Sequence, residues 1–430
     1  MKKLIFTFIF TSIISNYALA VTLTDALLQT YQSNTELNAE RENINASKED
    51  INIAKGDYLP TASITGTKSK EDTNKLTNQS GGDASINDVD PLTTSIKIEQ
   101  NLIDFKRGAE YKKQKIRLNI SEIKFKKKEQ DIIFKSIEAY TGLILANEKK
   151  IINERNLNLL DRQVDLDKLR LERGQITFSD LAQSESSYAE ATALFIQAKN
   201  EVITRKLLYE NIIGKISDIN LLEKSLDAIV QLPKDLKEAI EVSKKNNPDI
   251  EIAKLELEQS EMDIRIAKSD VSPTATLSLE RSYSEDLSST YDEREKDILK
   301  ATVTWPFYSG GKKIATINKN INLKSKKKLL LENSIKNNDT NVTSAWTNLQ
   351  SAKSFLASVR SQVKAAEIAN EGITAEYERG SRTTLDVIQS NTFLLNAQIS
   401  LANSERELVL AQYNLIKSIG MLTSKHLKIQ

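Results

Sequence analysis

The side chains that could take part in chemistry occur in two groups, at matching positions in the two halves of the chain. They are Glu172, Arg173, Gly174, Asp180, Gln183 and Ser184 in the first group, and Glu378, Arg379, Gly380, Asp386, Gln389 and Ser390 in the second. The carboxylates recur at helix-surface spacing, and neither a Ser/His pair nor a Gly-rich phosphate loop accompanies them. We therefore expect a protein that is not an enzyme.

Cysteine and histidine usage excludes further kinds of site. The chain has no cysteine, and its one histidine is His426, near the C-terminus. Disulfides, thiolate chemistry and a lipid-modified cysteine are excluded, and a zinc site of the usual His/Cys kind is not expected. We predict no cofactor and no metal. A net charge of +1 with 28% charged residues also argues against a nucleic-acid partner.

The elements around these groups are duplicated as well. Segment 23–34 is matched by 236–247, and each half is predicted to contain a helix, two strands, a very long helix, a glycine turn and a long helix. The first helices are expected over 21–55 and 233–270. The predicted divisions are a first repeat at 21–214, a connecting segment at 215–232, a second repeat at 233–422 and a tail at 423–430.

A seven-residue period predicts how the long helices pack. Large apolar residues recur at Val387, Leu394, Leu401, Leu408, Leu415 and Leu422, and small residues follow three positions after most of them. Large knobs alternating with small holes are typical of coiled coils at close approach. The apolar face is wide, so each helix should have neighbours on both sides, as in a curved wall of helices.

Four stretches alternate between apolar and polar residues, at 61–67, 94–102, 275–283 and 299–307. A strand with one apolar and one charged face is typical of a barrel wall between lipid and water. Trp305 and Phe307 lie at a strand end, where an aromatic girdle at the membrane interface would be found. Segments 69–91 and 284–297 are predicted to be exposed loops. Soluble hairpins that cap a helical bundle are the alternative.

The N-terminus carries an export signal. Residues 1–20 contain two lysines, an apolar run and the small-residue sequence Ala18-Leu19-Ala20, which predicts cleavage before Val21. No other stretch is apolar enough for a spanning helix, so the mature chain is either soluble or crosses a membrane as strands. Four strands cannot close a barrel and a bilayer tolerates no open edge, so a membrane barrel would need several chains.

The chain resembles the TolC-like outer-membrane factors over about residues 21–422. The resemblance rests on the duplicated order of elements, the related turns at 34–37 and 247–250, segment 305–311 and, most specifically, segment 377–387. It implies a mainly α fold with a transmembrane β part. In this fold a long coiled-coil α-helical barrel continues into a β-barrel, which a trimer closes with four strands per chain.

The resemblance also implies a function and partners. The function is a passive outer-membrane export duct for tripartite drug efflux or type I protein secretion, extending into the periplasm. The partners are two further copies of the chain, a periplasmic adaptor (membrane fusion) protein, an inner-membrane pump or ABC transporter, and outer-membrane lipid. The duct would open at its periplasmic helical tip when the pump and adaptor dock. A soluble periplasmic coiled-coil adaptor or scaffold is the alternative from another class.

Roles for individual residues at the tip follow from the resemblance alone. Tyr377 and Arg382 match gate contacts, whose partners on the preceding hairpin are matched by Asp180 and Gln163. Asp386 matches a pore-constriction carboxylate, and Gln389 stands where the best-known pattern has a second Asp, so cation selectivity should be weaker. The tip turns for adaptor docking are Arg173, Gly174, Arg379 and Gly380.

Two basic runs, at 106–128 and 312–328, each begin just after the second strand of a pair. Contact with anionic headgroups on the periplasmic leaflet and a merely solvated helix face are both open interpretations of these runs.

Overall fold

The structure is a computed structural model that describes residues 20–429, except 73, 76, 78, 84–88, 227 and 289–290. The predicted export signal at 1–20 lies outside the described residues apart from Ala20. The described helices are α1 (Leu23–Ser33), α2 (Thr35–Gly56), α3 (Phe105–Glu172), α4 (Phe178–Ile212), α5 (Leu236–Asn246), α6 (Pro248–Ser269), α7 (Lys312–Glu378), α8 (Thr384–Ser418) and α9 (Ser424–Leu427). The strands are β1 (Thr61–Lys68), β2 (Leu92–Ile103), β3 (Thr274–Ser288) and β4 (Tyr291–Thr304).

The order of elements confirms the mainly helical fold and the internal duplication, with one difference at the start of each repeat. Each first helix is two helices, because the chain adopts extended backbone at Asn34 and at Asn247. The Asn34 side chain accepts a hydrogen bond from the Leu37 backbone N–H at 3.2 Å, and so caps α2. Pro248 begins α6, where its missing N–H costs nothing.

The four strands form one antiparallel sheet in the order β1-β2-β3-β4. Thr61 pairs with Glu99, Ile103 with Ala275, and Thr274 with Thr304. These pairs lie where α2 and α6 enter the sheet and where α3 and α7 leave it, so all four helices join the sheet at the same end. The segment predicted as a loop at 284–297 is mostly strand, since β3 runs to Ser288 and β4 begins at Tyr291.

The chain folds into two compact units, and each unit contains segments from both repeats. One unit contains the sheet and comprises residues 39–127 and 248–338. The other comprises residues 20–38, 128–247 and 339–429 of the described chain. In the latter, α8 shows the predicted alternation: Val387 and Leu415 are buried, as are the small residues Ser390 and Ala397 between them.

The connecting segment is tied to the helices of its own unit by three side chains. The buried Tyr140 hydroxyl donates to the backbone carbonyls of Val21 and Glu223, at 2.8 and 2.7 Å. Lys224 pairs with Glu148 and Glu405. The backbone N–H of Ile229 donates to the Tyr413 hydroxyl at 3.2 Å.

None of the helices in the described part of the chain combines the length and the apolar content that a membrane-spanning helix requires.

Candidate functional site

The two glycine turns reverse the chain between long helices in the same way. Gly174 follows α3 and Gly380 follows α7, with φ of 68° and 80°. Beyond each glycine, a backbone N–H bonds back to a carbonyl of the last helical turn: Gln175 to Arg170 at 2.9 Å, and Ser381 to Glu376 at 3.0 Å. Glycine is favoured at both turns because a side chain would strain this left-handed conformation.

After each turn the next helix begins with the same capping box. The Asp180 carboxylate accepts from the Thr177 backbone N–H and hydroxyl, each at 2.8 Å. The Asp386 carboxylate does the same with Thr383, at 3.0 and 2.8 Å. The hydrogen bond from the backbone N–H, followed by the one from the Thr hydroxyl, holds the pKa of each carboxyl below its ordinary value, so both groups carry charge at neutral pH.

A buried carboxylate, Asp167, is the centre of the site. Its side chain on α3 is fully buried. Gln163, one turn earlier, donates to both carboxylate oxygens at 3.1 Å. The Ser184 hydroxyl on α4 donates to Oδ2 at 2.5 Å, and the Tyr377 hydroxyl on α7 donates to Oδ1 at 2.5 Å. A buried carboxylate is stable only with such a set of donors.

The Asp167 cluster joins all four helices that meet at the turns. The Tyr377 hydroxyl also lies 3.2 Å from the Thr384 hydroxyl on α8 and accepts from Gln163 Nε2 at 3.2 Å. The Arg170 guanidinium lies 4.1 Å from the centre of the Tyr377 ring. Burial, and then the bond to Asp167, raise the pKa of Tyr377, so its hydroxyl remains a donor at neutral pH.

The predicted gate residues are therefore only partly brought together within one chain. Tyr377 does contact Gln163, but its carboxylate partner is Asp167 and not Asp180, whose oxygens are used by the α4 cap. Arg382 does not bond to the Gln163 amide; its Nε donates to Glu376 at 2.7 Å on the surface. Asp180, Tyr377 and Arg382 nevertheless line one polar cavity.

Asp167 was not among the predicted gate residues, although the sequence contains a signal for it. Leu160, Val164 and Asp167 follow one another at helical spacing, and all three are buried on α3. A carboxylate in place of an apolar residue on a core-facing stripe must find donors, so it marks a site where helices meet.

A second polar cluster lies further from the turns. The buried Asn370 amide donates to the Ser390 hydroxyl at 3.2 Å and to Asn391 Oδ1 at 2.6 Å. The Asn391 amide nitrogen is buried and finds no acceptor in the described part of the chain.

The remaining predicted residues are exposed, apart from Asp386. Arg173, Arg379 and Gln389 lie at the surface, and Asp386 is half-buried. In the sheet unit, Trp305 and Phe307 lie just beyond β4 and are 65% and 86% exposed. Among the described residues, no group of three or more acidic or histidine side chains could hold a metal ion.

Comparisons with known proteins give consistent results. The family model described as "Outer membrane efflux protein" matches residues 26–214 and 239–421. The outer membrane efflux protein BepC of Brucella suis biovar 1 is 26% identical over 416 residues, which are 96% of this chain and 88% of that protein. The alkaline protease secretion protein AprF of Pseudomonas aeruginosa is 21% identical over 340 residues, 78% of this chain and 69% of that protein.

The solved structures share the fold. The CmeC outer membrane channel of Campylobacter jejuni superimposes with a TM-score of 0.79 at 14% identity, over 93% of this chain and 86% of that one.

Proposed function

Since the chain belongs to the outer membrane efflux protein family, we propose that it is a passive export duct of the outer membrane that extends into the periplasm. The observation that carries this proposal is the family match to both repeats. The cargo classes follow the relatives, one named for efflux and one for protease secretion, so both tripartite efflux and type I secretion are included. The duct itself does no chemistry, and energy comes from an inner-membrane pump or ABC transporter.

The sheet supports assembly from several copies. Its apolar side chains are exposed in a single chain, including Ile64 at 76%, Leu299 at 73% and Val303 at 72%. The outer strands β1 and β4 each pair on one side only. Unpaired edges are too costly in lipid, so these strands must pair with those of other copies. Three copies, as the family resemblance implies, would close a barrel with Trp305 and Phe307 at its membrane interface.

The Asp167 cluster supports a gate at the glycine turns. It joins α3 and α4 to α7 and α8, and it contains few groups, so parting the helices would cost only a small number of hydrogen bonds. We assign Tyr377, Gln163 and Asp167 to the closed state, with Arg382 and Asp180 beside them. An adaptor protein docking at Arg173, Gly174, Arg379 and Gly380 would supply the energy of opening.

Asp386 is the proposed constriction residue, and Gln389 lies one turn further along α8. Three copies of Asp386 around one axis would give a single carboxylate ring that favours cations. We also propose that the mature chain begins at Val21, after removal of 1–20. The two repeats would be 21–214 and 233–422, connected by 215–232 and followed by the tail at 423–430.

Fractionation of cells that express the chain tests the proposal against the soluble adaptor or scaffold. The duct predicts recovery in the outer membrane, and cross-linking of the detergent-extracted protein should give a product of three chains. Recovery in the soluble periplasmic fraction, without a three-chain product, would support the adaptor and overturn the duct.

A further inference from the structure

The basic side chains next to the sheet are concentrated at the end where the helices join it. The first two turns of α3 and α7 contain Lys106, Arg107, Lys112, Lys312, Lys313 and Lys319, against one acidic residue, Glu110. At the opposite end, the described residues of segments 69–91 and 284–294 together include eight acidic residues and three basic ones. The sheet is therefore bounded by positive charge on the helix side and by negative charge on the loop side.

Two of these six cations have a structural role. The Arg107 guanidinium donates to the backbone carbonyls of Asp57, Asn101 and Leu102, and Lys313 donates to the carbonyl of Asp270. These bonds satisfy carbonyls just beyond α2 and α6 and, for Arg107, also near the end of β2, so both cations are engaged within the chain.

The other four cations have no such partner. Lys106, Lys112, Lys312 and Lys319 are exposed, and none of them pairs with a carboxylate in the described part of the chain. We call these four lysines the basic collar. Further along the same helices, Lys113, Lys324 and Lys327 pair with acids on α6.

Exposed aromatic residues adjoin the basic collar. Phe105 precedes Lys106 and is 62% exposed, and Tyr308, four residues before Lys312, is 79% exposed. Trp305 and Phe307 are exposed at the same end of the sheet. Aromatic side chains at the apolar boundary, with long lysines reaching to the headgroups, are typical of a membrane interface.

We infer that the basic collar binds the phosphates of anionic phospholipids in the membrane leaflet that faces the helices. This inference rests on the proposed function, which places the sheet in the membrane. Lys312 and Lys319 are two helical turns apart, about 10 Å, so both lie near the headgroup layer. The acidic loop end repels phosphate, which favours phospholipid at the helix end over lipid A at the loop end.

Lipid retention by the full-length protein tests the inference. The detergent-purified protein is incubated with micelles containing equal amounts of phosphatidylethanolamine, phosphatidylglycerol and lipid A, and co-purifying lipids are counted by mass spectrometry. We expect phosphatidylglycerol to be enriched over the other two. In K106Q/K312Q/K319Q the enrichment of phosphatidylglycerol should fall about five-fold or more. One lysine near an anionic surface contributes about 1 kcal/mol, which is about five-fold in binding, so five-fold is the least effect expected from removing three.

A matched control removes the same charge from the same two helices. K124Q/K326Q/K328Q replaces exposed lysines that lie about 10 Å or more beyond the last collar lysine of the same helix, which is more than one Debye length at physiological salt. This variant should retain the wild-type enrichment. An equal loss in both variants, equal retention of all three lipids, or a preference for lipid A would overturn the inference.

Conductance of the same preparations separates this inference from the proposed function. A wild-type protein that conducts but shows no preference for phosphatidylglycerol overturns the lipid site and leaves the duct in place. A wild-type protein without conductance overturns the duct.

Discussion

Removing the Tyr377 hydroxyl should weaken the closed state of the tip. In Tyr377→Phe the ring still packs against Arg170, whereas the 2.5 Å hydrogen bond to the Asp167 carboxylate is lost. Asp167 keeps its donors Gln163 and Ser184, so it is not left bare. A hydrogen bond to a charged group contributes about 1.5–3 kcal/mol. The ratio of closed to open tips should therefore fall by about 10- to 150-fold per protomer.

Single-channel recording in planar bilayers measures this ratio. Wild type should spend most of its time in a low-conductance state, and Tyr377→Phe should show long or frequent openings. Tyr413→Phe is the matched control, because it removes a buried hydroxyl that bonds to the connecting segment and not to the tip. Equal open probabilities in wild type and both variants would refute the assignment of Tyr377 to the gate.

A second variant tests whether Tyr377 acts through Asp167. Asp167→Asn keeps the side-chain shape but replaces the carboxylate that accepts from α3, α4 and α7, so it should also open the tip. Because the two residues share one bond, the double variant should open less than the product of the single effects. Independent effects would contradict a shared bond between α3 and α7.

Further predictions concern Arg382, the constriction residue Asp386 and the glycine turns. Arg382→Ser should raise open probability far less than Tyr377→Phe, because its pair with Glu376 is exposed and such pairs contribute about 1 kcal/mol or less; an equal rise in the same recordings would contradict this. Asp386→Asn should abolish cation preference in reversal-potential measurements, whereas Asp180→Asn, which alters the matching cap on α4, should not. The cap lowers the pKa of Asp386 below its ordinary value of 3.8, so the carboxylate stays charged above that pH and is neutralised only as the pH falls below it. Cation preference should therefore be the same at pH 7.5 and at pH 5.5. If cation preference were lost with a midpoint above pH 5, repulsion between the carboxylates of the ring would outweigh the cap. Gly420→Ala should lower the thermal midpoint more than Gly380→Ala: both have φ near 80°, which costs about 1–2 kcal/mol, but only at Gly420 would a Cβ collide with the backbone of Asn246 and Asn247.

Periodicity predicted the elements well wherever packing repeats along the chain. In α8 the small residues Ser390, Ala397 and Ser404 are buried as the seven-residue pattern predicts, whereas the large residues of that pattern are buried only at the two ends of the helix and half-buried between them. Apolar periodicity alone predicted one continuous helix across Asn34 and across Asn247, whereas the family resemblance placed turns at 34–37 and 247–250, and the helices do break there. A short polar residue before a new helical period is the signal that was available.

The extent of β3 and β4 was missed for a different reason. Segment 284–297 is rich in charge and resembles a loop, yet charge does not prevent strand pairing when opposite charges face each other. Arg281 lies 3.6 Å from Glu295 and 3.8 Å from Asp297 on the adjacent strand. Such cross-strand pairs depend on register, which local composition does not encode.

The candidate site was predictable in position but not in detail. The glycine turns located it, whereas the two capping boxes were not predicted, although the repeated Thr-x-x-Asp spacing at 177–180 and 383–386 is a signal for them. The hydrogen bonds of Tyr377 could not be predicted, because two carboxylates, Asp167 and Asp180, compete for it. The α4 cap engages Asp180, and only the packing of α3 against α7 shows that Asp167 is the one within reach.

Conductance of the purified, detergent-extracted protein in a planar bilayer tests the central claim most directly. An export duct should give discrete, cation-favouring channels that are small in wild type and larger in Tyr377→Phe. A folded protein that never conducts, in wild type or in this variant, would contradict the duct and support the alternative in which the sheet is a soluble cap on a helical bundle.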